Sequence, residues 1–314
     1  MDPAGRQRAL LFIAVVLAVY LFAALYLIRS AIARFRGLRP RASRWETWAR
    51  RVIFTLAGIG LLCFAYGYFV EPYWPEVTRV RLVSDKVKGT RPIRIAHVSD
   101  IHSDPKKRLE DRLPALIGAE RPDVIVFTGD SVNSPEGLPV FKQCLSALSA
   151  IAPTLVVKGN WDAWYWEDLP LFSGTGAKEL DGTGTLLRVG ESDLWIGGVA
   201  VTGEAKLSSL LESAPPQAVQ VILYHSPDLI YDVARYNIDL YLAGHTHGGQ
   251  VALPFYGALI TFSEFGKRFE AGLHQVGVTS LYVNRGIGME GGPAPRVRFL
   301  ARPEITIIEI RPRL

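Results

Sequence analysis

Five short apolar runs in this chain each end on a residue that binds metal well: IAHVSDIH, VIVFTGD, LVVKGNWD, VILYHS and LYLAGHTHGGQ. Unbroken Val, Ile and Leu runs mark strands buried on both faces, and ligands are commonly placed where such strands emerge into loops. The pattern predicts an α/β fold that draws Asp100, His102, Asp130, Asn160, His225, His245 and His247 into one convergent site. Strand-like runs near 93–99, 123–128, 154–158, 219–224 and 239–243 alternate with helical stretches near 108–120, 138–150 and 227–236. Ser226 before Pro227 reads as an N-cap followed by Pro at the first helical position. The later segments LLRVG, LWIGGVAV, SLYVNRG and EITIIEI are strand-like without long helices between them. That mixture favours two packed sheets flanked by helices.

The ligand types narrow the chemistry. Oxygen and imidazole donors without thiolate suit Mn, Fe, Zn or Ni better than Ca or a structural Cys-bound Zn. Cys63 falls in an apolar span and Cys144 in an expected helix, so neither joins the set and a disulfide between them is not expected. Seven ligands with one carboxylate shared match the needs of two ions roughly 3.5–4 Å apart, a spacing that clamps an in-line phosphoryl displacement. Asp100-x-His102 alone is a common loop pair, and TGD and GNWD are ordinary turns; GHTHGG is stronger, because glycines let backbone approach an ion closely. Their order and strand-end placement carry more than any one of them.

Through SDIH, TGD, GNWD, YHS and GHTHGG in that order, the chain resembles the calcineurin-like metallophosphoesterases over roughly residues 93–310. The resemblance implies a four-layer αββα sandwich and two divalent metal ions, Mn first and Fe, Zn or Ni as alternatives. It implies that Asp100, His102 and His247 hold one ion, that Asn160, His225 and His245 hold the other, and that Asp130 bridges. Asp130, Asn160 and His245 are the expected catalytic set, acting on phosphorus through a water whose pKa the ions lower. The tail, GGQVALPFYG with YVNRGIGMEGGPAPRVRF and RPEITI, is similar to a bacterial membrane-anchored branch. Trp161 stands where that family generally has His. An indole cannot protonate a leaving oxygen, help typically worth 10²- to 10⁴-fold, so Trp161 points to a bond with a good leaving group, a phosphoanhydride or activated diester. The alternative is that Trp161 only packs and another group is the acid.

Ahead of this part, Ala9–Ile28 and Val52–Val70 are uncharged apolar stretches, each close to the roughly 20 residues that cross hydrocarbon. Cleavage of the first as a signal peptide is the alternative, with Ala31-Ile32-Ala33 as a faint cleavage pattern. The run exceeds an h-region of about 7 to 15 residues, so a transmembrane hairpin is the expectation. The domain division expected is an anchor over 1–75 and a metallophosphoesterase domain over 76–314, with VTRVRLVS as the strand leaving the membrane. The loop RSAIARFRGLRPRASRWETWARR carries many arginines against Glu46 alone. By the positive-inside tendency it is cytoplasmic, which puts the catalytic part outside the cytoplasm of a bacterial inner membrane. The opposite topology follows if the glycine-containing second stretch lies in the interface and the arginines bind anionic headgroups.

Much of the net charge of +5 sits in that loop, where a membrane surface explains it and no nucleic-acid signature appears. His97 in a strand and His274 in a loop read as structural or solvated, and Arg285 as an ion pair before a phosphate contact. WDAWYWEDLPLF supplies an aromatic cluster directly after a ligand, and LPFYGALITF a second one. Core packing is their default, and an apolar groove or a dip into the bilayer is the functional reading. With the anchor, they suggest a lipid- or nucleotide-linked phosphate substrate held at the membrane. The resemblance offers cleavage of UDP-2,3-diacylglucosamine to lipid X and UMP in lipid A synthesis, which requires cytoplasmic access. An extracytoplasmic phospholipid or cell-envelope phosphoesterase is the enzymatic alternative, and a metal-binding scaffold without catalysis the non-enzymatic one. Oligomeric state is not legible.

Overall fold

The computed structural model describes residues 3–38, 42–291 and 296–313; Arg39 to Arg41 of the arginine-rich stretch and residues 292–295 of the GGPAP stretch lie outside it. The chain opens with two long helices, α1 (Pro3–Phe35) and α2 (Arg44–Phe69). α1 contains Ala9–Ile28, α2 contains Val52–Val70 but for its last residue, and both extend well past their spans on the side of the turn. This corrects the expectation of a long arginine-rich loop, because arginine is a good helix former and extends both helices. Ser43 then closes α2 with a capping box: its hydroxyl accepts from Glu46 N at 3.1 Å and its own N–H donates to the Glu46 carboxylate at 2.8 Å. At 1.5 Å per residue the helices reach about 50 and 40 Å, more than the roughly 30 Å of hydrocarbon. They run antiparallel, with the Tyr20 hydroxyl on the Ala57 carbonyl at 3.1 Å.

The remaining elements follow in order: β1 (Glu76–Ser84), β2 (Ile93–Val98), α3 (Leu113–Ala119), β3 (Val124–Phe127), α4 (Leu138–Ser149), β4 (Thr154–Val156), α5 (Asn160–Trp164), β5 (Lys178–Glu179), β6 (Thr183–Val189) and β7 (Ser192–Gly198). After them come α6 (Leu207–Glu212), β8 (Val219–Leu223), α7 (Ile230–Ala234), β9 (Leu240–Ala243), the short β10 (Ala252–Leu253) and β11 (Gly257–Ala258), β12 (Gly272–Val276), β13 (Thr279–Val283) and β14 (Glu304–Pro312). His274 therefore lies in a strand, β12, and not in a loop. The helix expected near 227–236 is a single 3-10 turn, capped by Ser226 as its sequence implied, that runs into the short α7.

Two six-stranded sheets form, in the orders β1-β14-β2-β3-β4-β5 and β12-β13-β9-β8-β7-β6, with β10 and β11 as a separate ribbon. In the first, β2, β3, β4 and β5 run parallel; in the second, β7, β8, β9 and β13 do. Successive strand residues point to opposite faces, so each apolar run feeds two cores. Ile93, Ile95, Val124 and Val126 meet Val219, Val221, Leu240 and Leu242 between the sheets. Ala96, Ile125 and Phe127 pack outward on Leu113 and Ile117 of α3 and Phe141 and Leu145 of α4. Ile222, Tyr241 and Leu281 pack outward on Leu210 and Leu211 of α6 and Ile230 and Val233 of α7. The result is helix, sheet, sheet, helix. Each fully buried aliphatic contributes about 1.5–3 kcal/mol, which is why runs of them fix the layers.

The hairpin is bolted to this sandwich rather than strung from it. Near the end of α2, the Gly67 carbonyl accepts from Arg298 N at 2.9 Å. A side chain there would meet the Arg298 carbonyl at 3.0 Å, so glycine permits the approach. Tyr66 sits edge-on to Phe299 with centroids 6.0 Å apart. Glu71, wholly buried, accepts from Leu300 N at 2.9 Å and Ala301 N at 2.6 Å. β1 then pairs along its whole length with β14.

Candidate metal centre

All seven residues singled out above sit just past the C-terminal ends of parallel strands. Asp100 and His102 follow β2, Asp130 follows β3, Asn160 follows β4, His225 follows β8, and His245 and His247 follow β9. The two sheets bring these ends to one edge of the sandwich, and the loops are tied to each other there. Asp100 N donates to Gly129 O at 2.8 Å, His102 N to Asp130 O at 3.0 Å, and Gly244 N to His225 O at 2.8 Å. Asp100, His102, Asp130, His245 and His247 all have positive φ, between 43° and 70°. Non-glycine residues rarely adopt that region, and such strain clusters at functional sites. At Gly244 a side chain would lie 1.9 Å from Ser99 Oγ and 2.2 Å from an Asp100 carboxylate oxygen; this is the close approach that GHTHGG requires.

Two groups of donor atoms result, each within the reach of one cation: Asp100, His102 and His247, and Asp130, His225 and His245. Asp130 lies between them. Its Oδ2 is 3.6 Å from His102 Nε2 in the first group and 3.2 Å from His225 Nε2 in the second, while its Oδ1 accepts from Trp161 N, next to Asn160, at 2.8 Å. His247 Nε2 stands 3.4 Å from Asp100 Oδ1. His225 Nδ1 is 2.7 Å from the Thr128 carbonyl, so a proton on that nitrogen leaves Nε2 free for an ion. His225 Nε2 in turn faces His245 Nδ1 at 3.1 Å, an arrangement a shared cation suits.

The orphaned atoms fit a metal. Both ring nitrogens of buried His102 and the Asn160 Oδ1 have no hydrogen-bond partner, and groups left this way cost about 1–3 kcal/mol each unless an ion satisfies them. The electrostatics agree. Burial would push Asp130 up, yet His225 and His102 hold its carboxyl down at about 2. Burial would lower His225, yet Asp130 and Asp100 hold it up at about 10. Burial, helped by Asp130, raises Asp100 to about 7. Burial also takes His102 and His245 down to about 4 and His247 well below its usual range. His102, His245 and His247 are thus held as unprotonated imidazoles, the state in which ligands bind metal, while His225 between the two carboxylates carries a proton that an ion on its Nε2 would displace.

Several contributors escaped the sequence reading. Buried Asp162 accepts from Asp130 N at 2.9 Å, Ser131 N at 2.8 Å and Gly159 N at 3.0 Å, clamping two ligand loops together. Arg298 is fully buried, donates to Gly288 O and Ala301 O, and brings Nη2 within 3.4 Å of His247 Nδ1. Trp161 stands edge-on to His102, centroids 5.3 Å apart, with its indole N–H on the Glu290 carboxylate at 3.4 Å. Asn133 donates to His102 O at 3.0 Å. His97 is buried against Thr128 Oγ1 at 2.9 Å and Arg285 pairs with Glu76 at 2.8 Å and Glu304 at 3.2 Å, as their structural readings required. The first aromatic cluster divides: Leu171 and Phe172 enter the core, while Trp164 and Tyr165 are exposed. No signal short of tertiary contact marks Arg298 or Glu290; Asp162 was visible only as part of GNWD.

A family model described as calcineurin-like phosphoesterase matches residues 93–249. Among relatives, the uncharacterized metallophosphoesterase YkuE of Bacillus subtilis is 32% identical over 79% of this chain and 90% of its own. The phosphodiesterase YaeI of Escherichia coli is 31% identical over 79% of this chain and 92% of its own. A bovine transmembrane protein with metallophosphoesterase domain is 29% identical over 74% of this chain and 56% of its own.

Proposed function

The chain belongs to the calcineurin-like phosphoesterase family, and from that premise we propose that it cuts a phosphodiester or pyrophosphate bond in a lipid-linked substrate at the bilayer surface. It is a metal-dependent phosphoester hydrolase with a binuclear site. In this reading Asp100, His102 and His247 hold one ion, Asn160, His225 and His245 the other, and Asp130 bridges, with Asp130, Asn160 and His245 closest to the chemistry. When bound there, two divalent ions, Mn by preference and Fe, Zn or Ni as alternatives, would supply a water of lowered pKa and polarise the phosphoryl oxygens. The chain itself does the holding. Asp162 fixes the loops of Asp130 and Asn160, Asp100 accepts from His245 N at 3.1 Å, and Trp161 brings no proton to the leaving oxygen. A group that leaves readily from a diester or pyrophosphate suits such a site, and the name of the Escherichia coli relative, a phosphodiesterase, supports it.

The observation that carries the lipid reading is the path from bilayer to metal. Gly67, near the end of α2, bonds to the backbone of Arg298, whose guanidinium lies 3.4 Å from His247. From Trp48 to Tyr68 along α2 is about 30 Å, the thickness of hydrocarbon, and aromatic rings favour the two interfaces. This reading puts Gly67 at the surface of the membrane, with the Arg298 side chain leading from there to the candidate metal centre. We take residues 1–75 as the anchor and 76–314 as the hydrolase. UDP-2,3-diacylglucosamine, giving lipid X and UMP, is the first candidate. A phospholipid or cell-envelope lipid outside the cytoplasm is the second, favoured by the arginines at the far end of the hairpin. Lipid profiling after depletion tests both: a lipid carrying an uncut phosphodiester or pyrophosphate accumulates. An unchanged lipid profile, together with full activity of the purified protein on soluble diesters alone, overturns the lipid reading.

A further inference from the structure

The hairpin and the catalytic part flank a half-open apolar cavity of about 680 Å³, several of whose lining side chains, Val15, Ile59, Leu61 and Phe64 among them, are exposed. Val16 and Val19 of α1, Leu56 and Phe64 of α2, and Val251 and Phe299 from the loops behind the metal centre form its walls. Val251 and Phe299 are bridged as a short parallel pair. Their neighbours in sequence face the other way. The Gln250 side chain accepts from Glu290 N at 2.8 Å, and Glu290 in turn takes the Trp161 indole. Arg298 reaches His247. One thin wall, residues 250–251 against 298–299, therefore has the cavity on one side and the metal centre on the other.

We propose that this cavity is the acyl-chain subsite of the enzyme: a hydrocarbon chain of the substrate lies between α1, α2 and the Val251–Phe299 pair while its phosphate reaches the metal centre around the edge of that wall. The assignment rests on the lipid-substrate reading above and extends it. The occupant is a lipid chain because the cavity lies between helices long enough to span the bilayer, at a depth where hydrocarbon is the filling available. It is a chain of the substrate because the wall it touches is the wall of the site. Leu253 and Pro254 continue the cavity toward Phe255, which stands fully exposed at the tip of the β10–β11 ribbon.

The test uses the full-length protein, Mn-loaded in phosphatidylcholine nanodiscs, on a series of lipid-linked diesters or pyrophosphates of increasing acyl length, with bis(p-nitrophenyl) phosphate as the soluble comparison. Val16→Trp and Val19→Trp fill the cavity; Leu17→Trp adds the same bulk on the exposed face of α1. In the parent protein kcat/KM rises about fourfold per added methylene, the value of burying one CH₂, until the cavity is full. Either filling variant lowers long-chain kcat/KM at least tenfold and leaves the soluble diester unchanged, while Leu17→Trp changes neither. Filling variants that keep the parent chain-length profile, or that lose both substrates equally, overturn the subsite and leave the lipid reading intact. A flat chain-length profile in the parent protein overturns the lipid reading, and the subsite with it.

Discussion

Asp162 ties two candidate ligand loops together through backbone N–H groups, that of Asp130 among them, without offering an atom to either donor group. Three backbone N–H groups converge on its carboxylate, and burial with Asp130 nearby raises its pKa to about 6. Asp162→Asn keeps the shape and one accepting oxygen but turns its NH2 toward at least one of those donors, leaving a buried N–H unpaired at about 1–3 kcal/mol. We expect metal content below two ions per chain by elemental analysis and a thermal midpoint several degrees lower. Two retained ions with an unmoved midpoint would reduce Asp162 to a bystander. Trp161 decides the leaving group. Trp161→His restores a proton donor at that position, and turnover of alkyl monoesters should rise about 10²-fold or more, with pyrophosphate turnover little changed. Alkyl monoester turnover that stays absent would sink the leaving-group argument. The seven candidate ligands were legible because Asp, Asn and His after an all-apolar run have few other reasons to be there. Arg298 was not, since a lone arginine in sequence reads as surface and only the fold buries it.

At the level of elements, β2 and β3 carry the ligand loops, and a buried network holds their ends together. His97 of β2 meets Thr128 Oγ1, which donates to Ser99 Oγ at 2.7 Å. Burial drives the His97 pKa from 6.5 down to about 3. Below pH 6.5 the unfolded chain takes up a proton that the native strand refuses. The stability His97 contributes is therefore complete above that pH and lost as pH falls toward 3. Between pH 7 and 5 the loss is about 2 kcal/mol. Replacing His97 with Gln should remove about 5 °C of the difference in thermal midpoint between those two pH values, whatever it does to the midpoint itself. An unchanged difference would show that His97 contributes nothing to the acid sensitivity. The parallel strands were readable because burial on both faces makes them continuous apolar runs. The two-residue β5, β10 and β11 were not, being too short to carry a period, and the arginine-rich helix ends were misread because charge suggested loop where propensity dictates helix.

For the whole molecule, the antiparallel hairpin fixes one relation: its turn and the catalytic part lie on opposite sides of any bilayer it crosses. Arg29, Arg36, Arg50 and Glu46 line a cleft of about 470 Å³ at the turn end, where α1 and α2 also carry Arg34, Arg44 and Arg51, whereas Arg6 and Arg8 are the basic residues of α1 at the other end. Trp45 and Trp48, stacked with centroids 4.9 Å apart, mark the interface there. The positive-inside tendency predicts that the arginine-rich end stays in the cytoplasm. A cysteine introduced at Gly37 should then be labelled by a membrane-impermeant maleimide only after the inner membrane is opened, while one at exposed Ser208 in the catalytic part is labelled in intact spheroplasts. Native Cys63 sits in α2 and Cys144 is buried, so background labelling is low. This pattern would take a cytoplasmic nucleotide-linked lipid out of reach of the metal centre and select the extracytoplasmic phospholipid reading. The reverse pattern would overturn the arginine argument, put UDP-2,3-diacylglucosamine back within reach, and leave the cleft of arginines to bind anionic headgroups on the outer face.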